Sequence, residues 1–352
     1  MSRVAVVLFN LGGPDSLDAV QPFLFNLFSD PAIIRMPRLI RWLIAWLMAR
    51  YRAAAARAAY NRIGGRSPLL AGTEAQALAL ENALAGSGLE IRVFLAMRYW
   101  HPFISETAAA VQKWNPDHVI LLPLYPQFSN TTTGSAMREW RRIAANLERV
   151  TTAVCFWPTE PGWVAALAAL TRQGLDTART VHQSEGQLPR VLFSAHGLPQ
   201  SMIARGDPYQ HHVQQTVAAV VTALREPQLD YQICYQSRVG PQQWIGPDIG
   251  DAIRHAGAEN IPVVLVPVTF VSEHAETLVE LDIEYQHMAK LAGVPAYIRV
   301  PTVGTHACFI AGLARLVREA LVQTPCRCCL SPIDSCGTSP RVASRQRDLE
   351  GI

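Results

Sequence analysis

The chain has 352 residues, which is more than one compact hydrophobic core usually spans, so we expect two domains. Hydrophobic residues make up 49% of the chain and charged residues 17%, a balance typical of a well-buried globular protein. The net charge of +3 is too small to indicate a nucleic-acid partner. No run of ~20 uncharged apolar residues would span a membrane, and no signal or transit peptide precedes the first strand-like segment. We therefore expect a cytoplasmic protein.

The first half of the chain alternates strand-like and helix-like segments. Short apolar runs at residues 4–9, 91–95 and 118–124 predict three strands, and the helical patterns between them are typical of parallel βαβ units. Residues 39–50 combine leucines and tryptophans with arginines, which predicts an amphipathic helix. This helix either packs over a domain, the interpretation that we favour, or lies on a membrane surface, where Trp and Arg are common.

The second half of the chain resembles the first, which indicates two similar lobes. Three short strings match in the same order: residues 7–10 with 191–194, 96–98 with 236–238, and 119–124 with 263–268. We therefore predict an α/β fold of two lobes, each a parallel sheet flanked by helices, with a ligand cleft between them. The predicted boundaries are 1–157 for the first lobe, 158–324 for the second, and 325–352 for a tail rich in Cys, Pro, Ser and Arg.

The strand predicted at residues 191–195 ends abruptly in His196 and Gly197. Ligands of open α/β sheets bind outside the carboxyl ends of the strands, and a glycine there lets the backbone turn tightly. His196 is therefore a candidate site residue. The alternative is a histidine that only hydrogen-bonds a backbone carbonyl in a loop.

A second candidate cluster follows the strand at residues 263–268. His274 lies beside a row of acidic residues, Glu276, Glu280 and Glu284, whose spacing of four places them on one side of a helix. Glu276 would also suit the first turn of a helix capped by Ser272, where a carboxylate is stabilised by ~0.3–1 kcal/mol. Three like charges on one ridge repel each other, so we favour a track that receives a metal ion or carries protons.

The sequence lacks the signatures of three other reactions. It has no G-x-S-x-G nucleophile and no H-E-x-x-H, and no P-C-x-x-C within the second lobe completes the H-x-E of zinc deaminases at His274–Glu276. One histidine with one carboxylate makes an incomplete metal site. Such a site favours brief holding of an ion and its transfer to another ligand.

Five motifs in this order resemble those of ferrochelatases: residues 8–14, 125–129, 194–199, 236–241 and 273–282. The resemblance covers roughly residues 3–320. It implies a lyase that inserts Fe²⁺ into protoporphyrin IX to form protoheme (heme b) with release of two protons, the last step of heme biosynthesis. It also implies the chelatase fold, in which the porphyrin lies between two Rossmann-like lobes.

The resemblance also implies roles for individual residues. His196 is expected to take pyrrole protons or bind iron, and Glu276 to be its metal-side partner across the cleft, with His274 and Glu280 nearby. A neutral imidazole is a suitable proton acceptor near physiological pH. The positions associated with the porphyrin pocket are Tyr125, Arg62, Arg98, Trp244 and, in the first loop where many relatives carry methionine, Leu11. The two arginines suit the porphyrin propionates, and the alternative for them is a salt bridge at the domain interface.

The tail contains four of the seven cysteines: Cys326, Cys328, Cys329 and Cys336. Some members of the resembled family hold a [2Fe–2S] cluster with such C-terminal cysteines, and Cys155 could supply an internal ligand. Four thiolates suffice for this cluster. The alternatives are free thiols or a zinc site.

Three other functions remain open from the residues alone. They are a coproporphyrin III ferrochelatase, a non-catalytic porphyrin carrier, and a redox sensor that bears the cluster. Protoporphyrin IX and ferrous iron are the expected partners, the expected location is the cytoplasm with peripheral contact to the inner membrane, and the chain is a monomer or a homodimer.

Overall fold

Eight strands form two separate parallel sheets, and each half of the chain contributes four of them. The computed structural model describes residues 2–181, 188–238, 240 and 242–322. The strands are β1 (Arg3–Asn10), β2 (Glu90–Met97), β3 (His118–Pro123), β4 (Thr151–Ala153), β5 (Arg190–His196), β6 (Tyr231–Gln236), β7 (Val263–Pro267) and β8 (Tyr297–Arg299). The strand order is β2-β1-β3-β4 in the first sheet and β6-β5-β7-β8 in the second, with every pairing parallel. The predicted fold of two similar lobes is confirmed.

Helices connect successive strands and cover the sheets. The α-helices are α1 (Val20–Phe28), α2 (Arg38–Asn61), α3 (Leu69–Leu84), α4 (Ile104–Trp114), α5 (Thr133–Ile143), α6 (Pro161–Val181), α7 (Gln200–Ile203), α8 (Tyr209–Leu224), α9 (Ile249–Ala258), α10 (Tyr285–Leu291) and α11 (Ala307–Val322). A 3₁₀ helix (Ala145–Val150) precedes β4, and a π-helix (Glu276–Glu284) precedes α10.

The two central strands, β1 and β5, are buried along their apolar length. Val4 to Phe9 of β1 and Val191 to Ala195 of β5 have no solvent exposure. Parallel strands covered on both faces need continuous apolar sequence, which explains why these segments do not alternate. The pairings also show that the three matched strings do not share one register. Phe9 lies opposite both Ala96 and Pro123, whereas Gln236 lies opposite His196 and Pro267 opposite Ser194.

One hydrophobic core joins the two lobes. Val4, Val6 and Leu8 of β1 belong to the same buried cluster as Val191 and Phe193 of β5. Helix α11 packs against both α6 and α3, so the last described helix returns to the first half of the chain. The lobe boundaries at residues 157 and 324 stay a prediction.

Helix α2 packs against α1 through its smallest side chains. Ala45, Ala49 and Ala53, spaced four apart, are buried. The large apolar residues of this helix are exposed instead: Leu39, Ile40, Trp42, Leu43, Trp46, Leu47 and Tyr51. The helix does pack over a domain, but its bulky apolar face points to the outside. No helix among the described residues is both long enough and apolar enough to cross a bilayer.

Candidate active site

The carboxyl ends of β5 and β6 meet the start of the π-helix. His196 is the last residue of β5 and lies opposite Gln236, the last residue of β6. Glu276 is the first residue of the π-helix. The buried apolar strand holds the backbone of His196 rigidly, while its side chain is 37% exposed. The sheet therefore presents an imidazole at its edge, as the sequence predicted.

Gly197 is required by the close approach of two elements. A Cβ atom on this residue would lie 2.8 Å from the Gln236 carbonyl oxygen and 3.3 Å from the Trp244 ring. The Gly197 amide also donates to that carbonyl at 2.9 Å. Any side chain here would push Trp244 away from the backbone beside His196.

The acidic track lies on a π-helix and not on the expected α-helix. A π-helix has i→i+5 hydrogen bonds and a wider turn, so residues four apart remain on one side of it. The Tyr297 hydroxyl donates to the Leu281 carbonyl at 2.7 Å. Arg299 binds both carboxylate oxygens of Asp282 at 2.5 Å. These side chains stabilise the wide turn from outside.

The predicted helix cap at Ser272 is wrong. The helical segment begins at Ala275, and the Ser272 hydroxyl donates to the Gln76 side chain at 3.1 Å. Glu273 lies before the helix and forms a 2.6 Å ion pair with Arg299. Ser272 therefore does not cap the helix, because a buried partner elsewhere in the fold binds its hydroxyl. Glu273 accepts from the Thr277 hydroxyl in the first turn at 2.5 Å while Arg299 holds its other oxygen.

Glu276 joins the two histidines of the site. Its Oε2 atom lies 2.9 Å from His196 Nδ1 and 3.7 Å from His274 Nε2. Glu280 accepts from the Ser237 hydroxyl at 2.7 Å and from the Gln236 amide at 3.2 Å. The structure thus brings together all four residues predicted for the metal side: His196, Glu276, His274 and Glu280.

The pKa values of the site residues depend on the contact between Glu276 and His196. Burial acts to lower the pKa of His196, but the Glu276 carboxylate outweighs it and raises that pKa above its ordinary 6.5. Burial acts to raise the pKa of Glu276, but the two histidines hold it well below 4.5. Burial and repulsion by Glu276 raise the pKa of Glu280 to about 7. One carboxylate is therefore firmly ionised, and the next exchanges protons near neutral pH.

The geometry makes His196 a base. The Glu276 carboxylate can only accept, so the 2.9 Å contact assigns the proton to His196 Nδ1 and leaves the lone pair on Nε2. Within the described part of the chain, Nε2 has no hydrogen-bond partner. Protonation of Nε2 would be stabilised by the adjacent carboxylate.

The predicted porphyrin-pocket arginines are both engaged in ion pairs. Arg62 lies 3.4 Å from Glu284 of the π-helix, so it links the two lobes. Arg98 binds the buried Asp30 at 2.9 Å and Ser135 at 2.7 Å. It lines a cavity of about 240 Å³ in the first lobe. Both arginines therefore form salt bridges, the alternative to propionate binding that the sequence left open. The pair of Arg62 and Glu284 joins the two lobes, whereas Arg98 and Asp30 belong to the same lobe.

The apolar and aromatic candidates lie after β1, after β3 and beside Gly197. Tyr125 is half-buried after β3, and burial raises its pKa. Leu11 packs in the cluster of α1 and α2 that also contacts Ala275, beside Glu276. Trp244 packs over Gly197, and its indole nitrogen is buried with no partner among the described residues. Roles for these residues stay predictions.

Of the predicted cluster ligands, Cys155 alone lies within the described residues. It is 8% exposed, and its sulfur is engaged in a disulfide. Cys326, Cys328, Cys329 and Cys336 lie outside the described residues. Across residues 2–181, 188–238, 240 and 242–322, no three or more His, Cys, Asp or Glu side chains are grouped to hold a metal ion.

Sequence reasoning missed two tyrosines of the site and gave Gln236, which it placed near His196, no role of its own. The Tyr209 hydroxyl donates to the His196 carbonyl at 3.0 Å. Tyr60 of α2 is buried close enough to Glu276 for that carboxylate to add to the rise of its pKa that burial causes. Gln236 accepts from Ser194 and donates to Glu280. Gln236 begins one of the motifs found in the sequence and ends β6, whereas the tyrosines lie on helices without a local signal.

Comparisons with known proteins agree with the fold. The solved structure of SirB from Bacillus subtilis with Fe³⁺ matches with a TM-score of 0.52 and 14% identity, over 92% of this chain and 96% of that chain. At this identity the likeness concerns the fold alone. The chain therefore has the two-lobed chelatase fold.

Sequence comparison identifies the family within that class. A model of the ferrochelatase family matches residues 3–321. The ferrochelatase of Caulobacter vibrioides is 51% identical over 92% of this chain and 92% of the relative. That of Phenylobacterium zucineum is 50% identical over 91% and 92%, and that of Picosynechococcus 44% identical over 92% and 84%. The chain belongs to the ferrochelatase family.

We expect Glu276→Gln to move the acid limb of the pH–activity profile to lower pH. His196 must be neutral to accept a proton, so activity rises with pH through its pKa, which Glu276 raises. Without the carboxylate, burial lowers that pKa. The measurement is kcat/KM for metal insertion from pH 5 to 9. The control is Glu106→Gln, which removes the same 2.9 Å contact from the exposed His101. An unmoved acid limb in Glu276→Gln would contradict the assignment.

Proposed function

We propose that this chain inserts Fe²⁺ into protoporphyrin IX, forming protoheme and releasing two protons. The observation that carries the proposal is the pair His196–Glu276 at 2.9 Å, at the strand ends of a chelatase fold in a ferrochelatase-family chain. The reaction is that of a lyase and completes heme synthesis. Iron is a substrate here, not a resident cofactor.

The site has the groups that this reaction requires. The porphyrin loses two N–H protons, and His196 Nε2 has the lone pair to accept them in turn, while Glu276 stabilises the resulting imidazolium. Glu280, with a pKa of about 7, is suited to pass those protons on. His274 and Glu276 offer one nitrogen and one carboxylate to the metal. So small a donor set favours transfer of iron to the four porphyrin nitrogens.

We also propose that the porphyrin lies between the π-helix and the inner face of α1 and α2. Tyr125, Trp244 and Leu11 would supply apolar walls, and their binding energy would hold the ring distorted for metal entry. Arg62 is the stronger candidate for a propionate, because its pair with Glu284 is exposed at 43% and 55% and exchanges at little cost. Arg98 is bound to the buried Asp30 and to Ser135, so it would affect the porphyrin only indirectly, through these two residues.

Two other functions would give different results when Fe²⁺ is combined with each of the two porphyrins. A coproporphyrin III ferrochelatase would metallate the four-propionate ring faster than the two-propionate ring. A non-catalytic carrier would bind either ring without metallation. The family relation favours metal insertion over carriage.

We propose peripheral membrane contact through the outer face of α2. Seven large apolar residues of this helix are exposed, with Leu39 at 84% and Tyr51 at 88%. From residue 31 to residue 73 the chain has no acidic residue, and its arginines there are Arg35, Arg38, Arg41, Arg50, Arg52, Arg57, Arg62 and Arg66. Apolar side chains flanked by arginine favour the interface of an anionic bilayer.

We propose that the tail cysteines, with Cys155 as a candidate fifth, hold a [2Fe–2S] cluster. Cys155 lies in the hydrophobic core of the first lobe, a site shielded from solvent. A cluster needs thiolates, so the Cys155 sulfur would serve only after its disulfide is reduced. A bound cluster would add redox-sensitive iron to the protein.

We expect His196→Ala to abolish heme formation and to leave porphyrin binding within about twofold, because the ring is held by the walls and not by the base. The assay combines anaerobic Fe²⁺ with protoporphyrin IX or coproporphyrin III, follows the heme spectrum, and measures porphyrin affinity by fluorescence. His101→Ala is the control, since His101 has the same 2.9 Å carboxylate contact outside the cleft. Near-normal turnover in His196→Ala would remove it from the mechanism. Wild-type protein inert with both porphyrins would exclude the function.

We expect the protein to co-sediment with vesicles containing phosphatidylglycerol and much less with pure phosphatidylcholine. Leu39→Glu/Leu43→Glu should lower this binding at least tenfold, because it places charge on the apolar face. Leu291→Glu, at a residue 75% exposed on α10, is the matched control. Equal vesicle binding by both variants would contradict a membrane role for α2.

We expect anaerobically purified protein to be reddish, with iron and acid-labile sulfide in equal amounts. The visible absorbance should disappear in Cys329→Ser/Cys336→Ser and persist in Cys308→Ser, which replaces an exposed free cysteine. Colourless, iron-free wild-type protein would refute the cluster.

A further inference from the structure

Two glutamines of the first lobe reach into the second lobe beside the candidate active site. Gln76 lies on α3 and Gln127 in the loop after β3. Both are buried, at 0% and 2% exposure. We call this pair the glutamine clamp. Both side chains bind the segment at residues 268–272, which connects β7 to His274 and the π-helix.

Gln76 uses its whole amide group. Its Nε2 atom donates to the carbonyl oxygens of Val271 at 2.8 Å and Gly304 at 2.9 Å. Its Oε1 atom accepts from the Ser272 hydroxyl at 3.1 Å. A primary amide is the side-chain group that donates twice and accepts in one plane, so these contacts explain a glutamine on the buried face of the helix.

Gln127 binds the other end of the same segment. Its Nε2 atom donates to the Val268 carbonyl at 3.0 Å and to the Thr216 hydroxyl at 2.8 Å. Thr216 lies on α8, so this one side chain links the loop after β3, helix α8 and the end of β7. The segment is thereby held at its first residue by Gln127 and at its last two by Gln76.

The held segment contacts the backbone of His196 and leads along the chain to Glu276. The Val268 amide donates to the Ser194 carbonyl at 2.9 Å, two residues before His196. The Thr269 hydroxyl accepts from the His196 amide at 3.4 Å. Two residues after Ser272 comes His274, and then Glu276. A shift of this segment would therefore change the position of Glu276 relative to His196.

We infer that Gln76 and Gln127 are positioning residues for metal insertion, which place Glu276 against His196 by holding residues 268–272. The inference rests on the proposed function. Without either amide, buried carbonyl and hydroxyl groups between the lobes lose their partners and the segment must move to recover them. A displacement of ~1 Å at a reacting group can cost ~100-fold in rate.

The test measures kcat, the KM for Fe²⁺ and the porphyrin affinity in Gln76→Met and Gln127→Met, which keep the side-chain length and remove the hydrogen bonds. We expect kcat to fall at least tenfold in each, with porphyrin affinity within about twofold. The control is Thr171→Val, which removes a fully buried hydroxyl-to-carbonyl bond in α6, distant in sequence from the clamp contacts. It should lower the unfolding temperature and leave kcat unchanged.

Ser272→Ala keeps the proposal testable if a methionine variant fails to fold, because it removes one bond of the clamp alone. We expect it to lower kcat about threefold, and to add nothing further when combined with Gln76→Met. Unchanged kcat in the folded clamp variants, or a loss matched by Thr171→Val, would overturn the inference. Absence of heme formation by the wild-type protein would instead reject the proposed function.

Discussion

The hydrogen bond between His196 and Glu276 is the contact on which the proposed chemistry of this protein depends. It assigns the proton to Nδ1, leaves Nε2 basic, and keeps the carboxylate ionised in a partly buried cleft. Neither residue would have these properties alone, because burial by itself acts against both charged forms. The rest of the second lobe presents these two groups at a fixed separation.

The two lobes share a topology but differ at their carboxyl edges. In the first lobe β1 ends at Asn10, whose amide binds the buried Thr73 and the backbone of Leu11. In the second lobe β5 ends at His196, whose ring faces the cleft. In the first lobe, the polar side chain at the end of β1 is therefore already hydrogen-bonded within the protein, and helices α1 and α2 lie beside it. The second lobe contributes the reactive groups, and the common core holds the two edges together.

Much of the site could be predicted from the sequence because it lies at strand ends. A parallel strand buried on both faces must be continuously apolar, so the polar residue that ends it is visible, and His196 and Gln236 are both such residues. The register was less accessible. Apolar runs look alike, and the strand pairings show that the matched strings do not share one register, because Pro123 lies opposite Phe9 whereas Pro267 lies opposite Ser194 and not Phe193.

The sequence by itself determined the two-lobed α/β fold and the family, and it singled out His196 and Glu276 as the candidate site, because these depend on local periodicity and on short motifs. Tertiary structure alone decided which partners the polar residues have. It placed Ser272 on Gln76 and not at a helix terminus, and it made the acidic track a π-helix supported by Arg299. The reason is physical: buried polar groups must find hydrogen-bond partners, and those partners come from elements far apart in the chain.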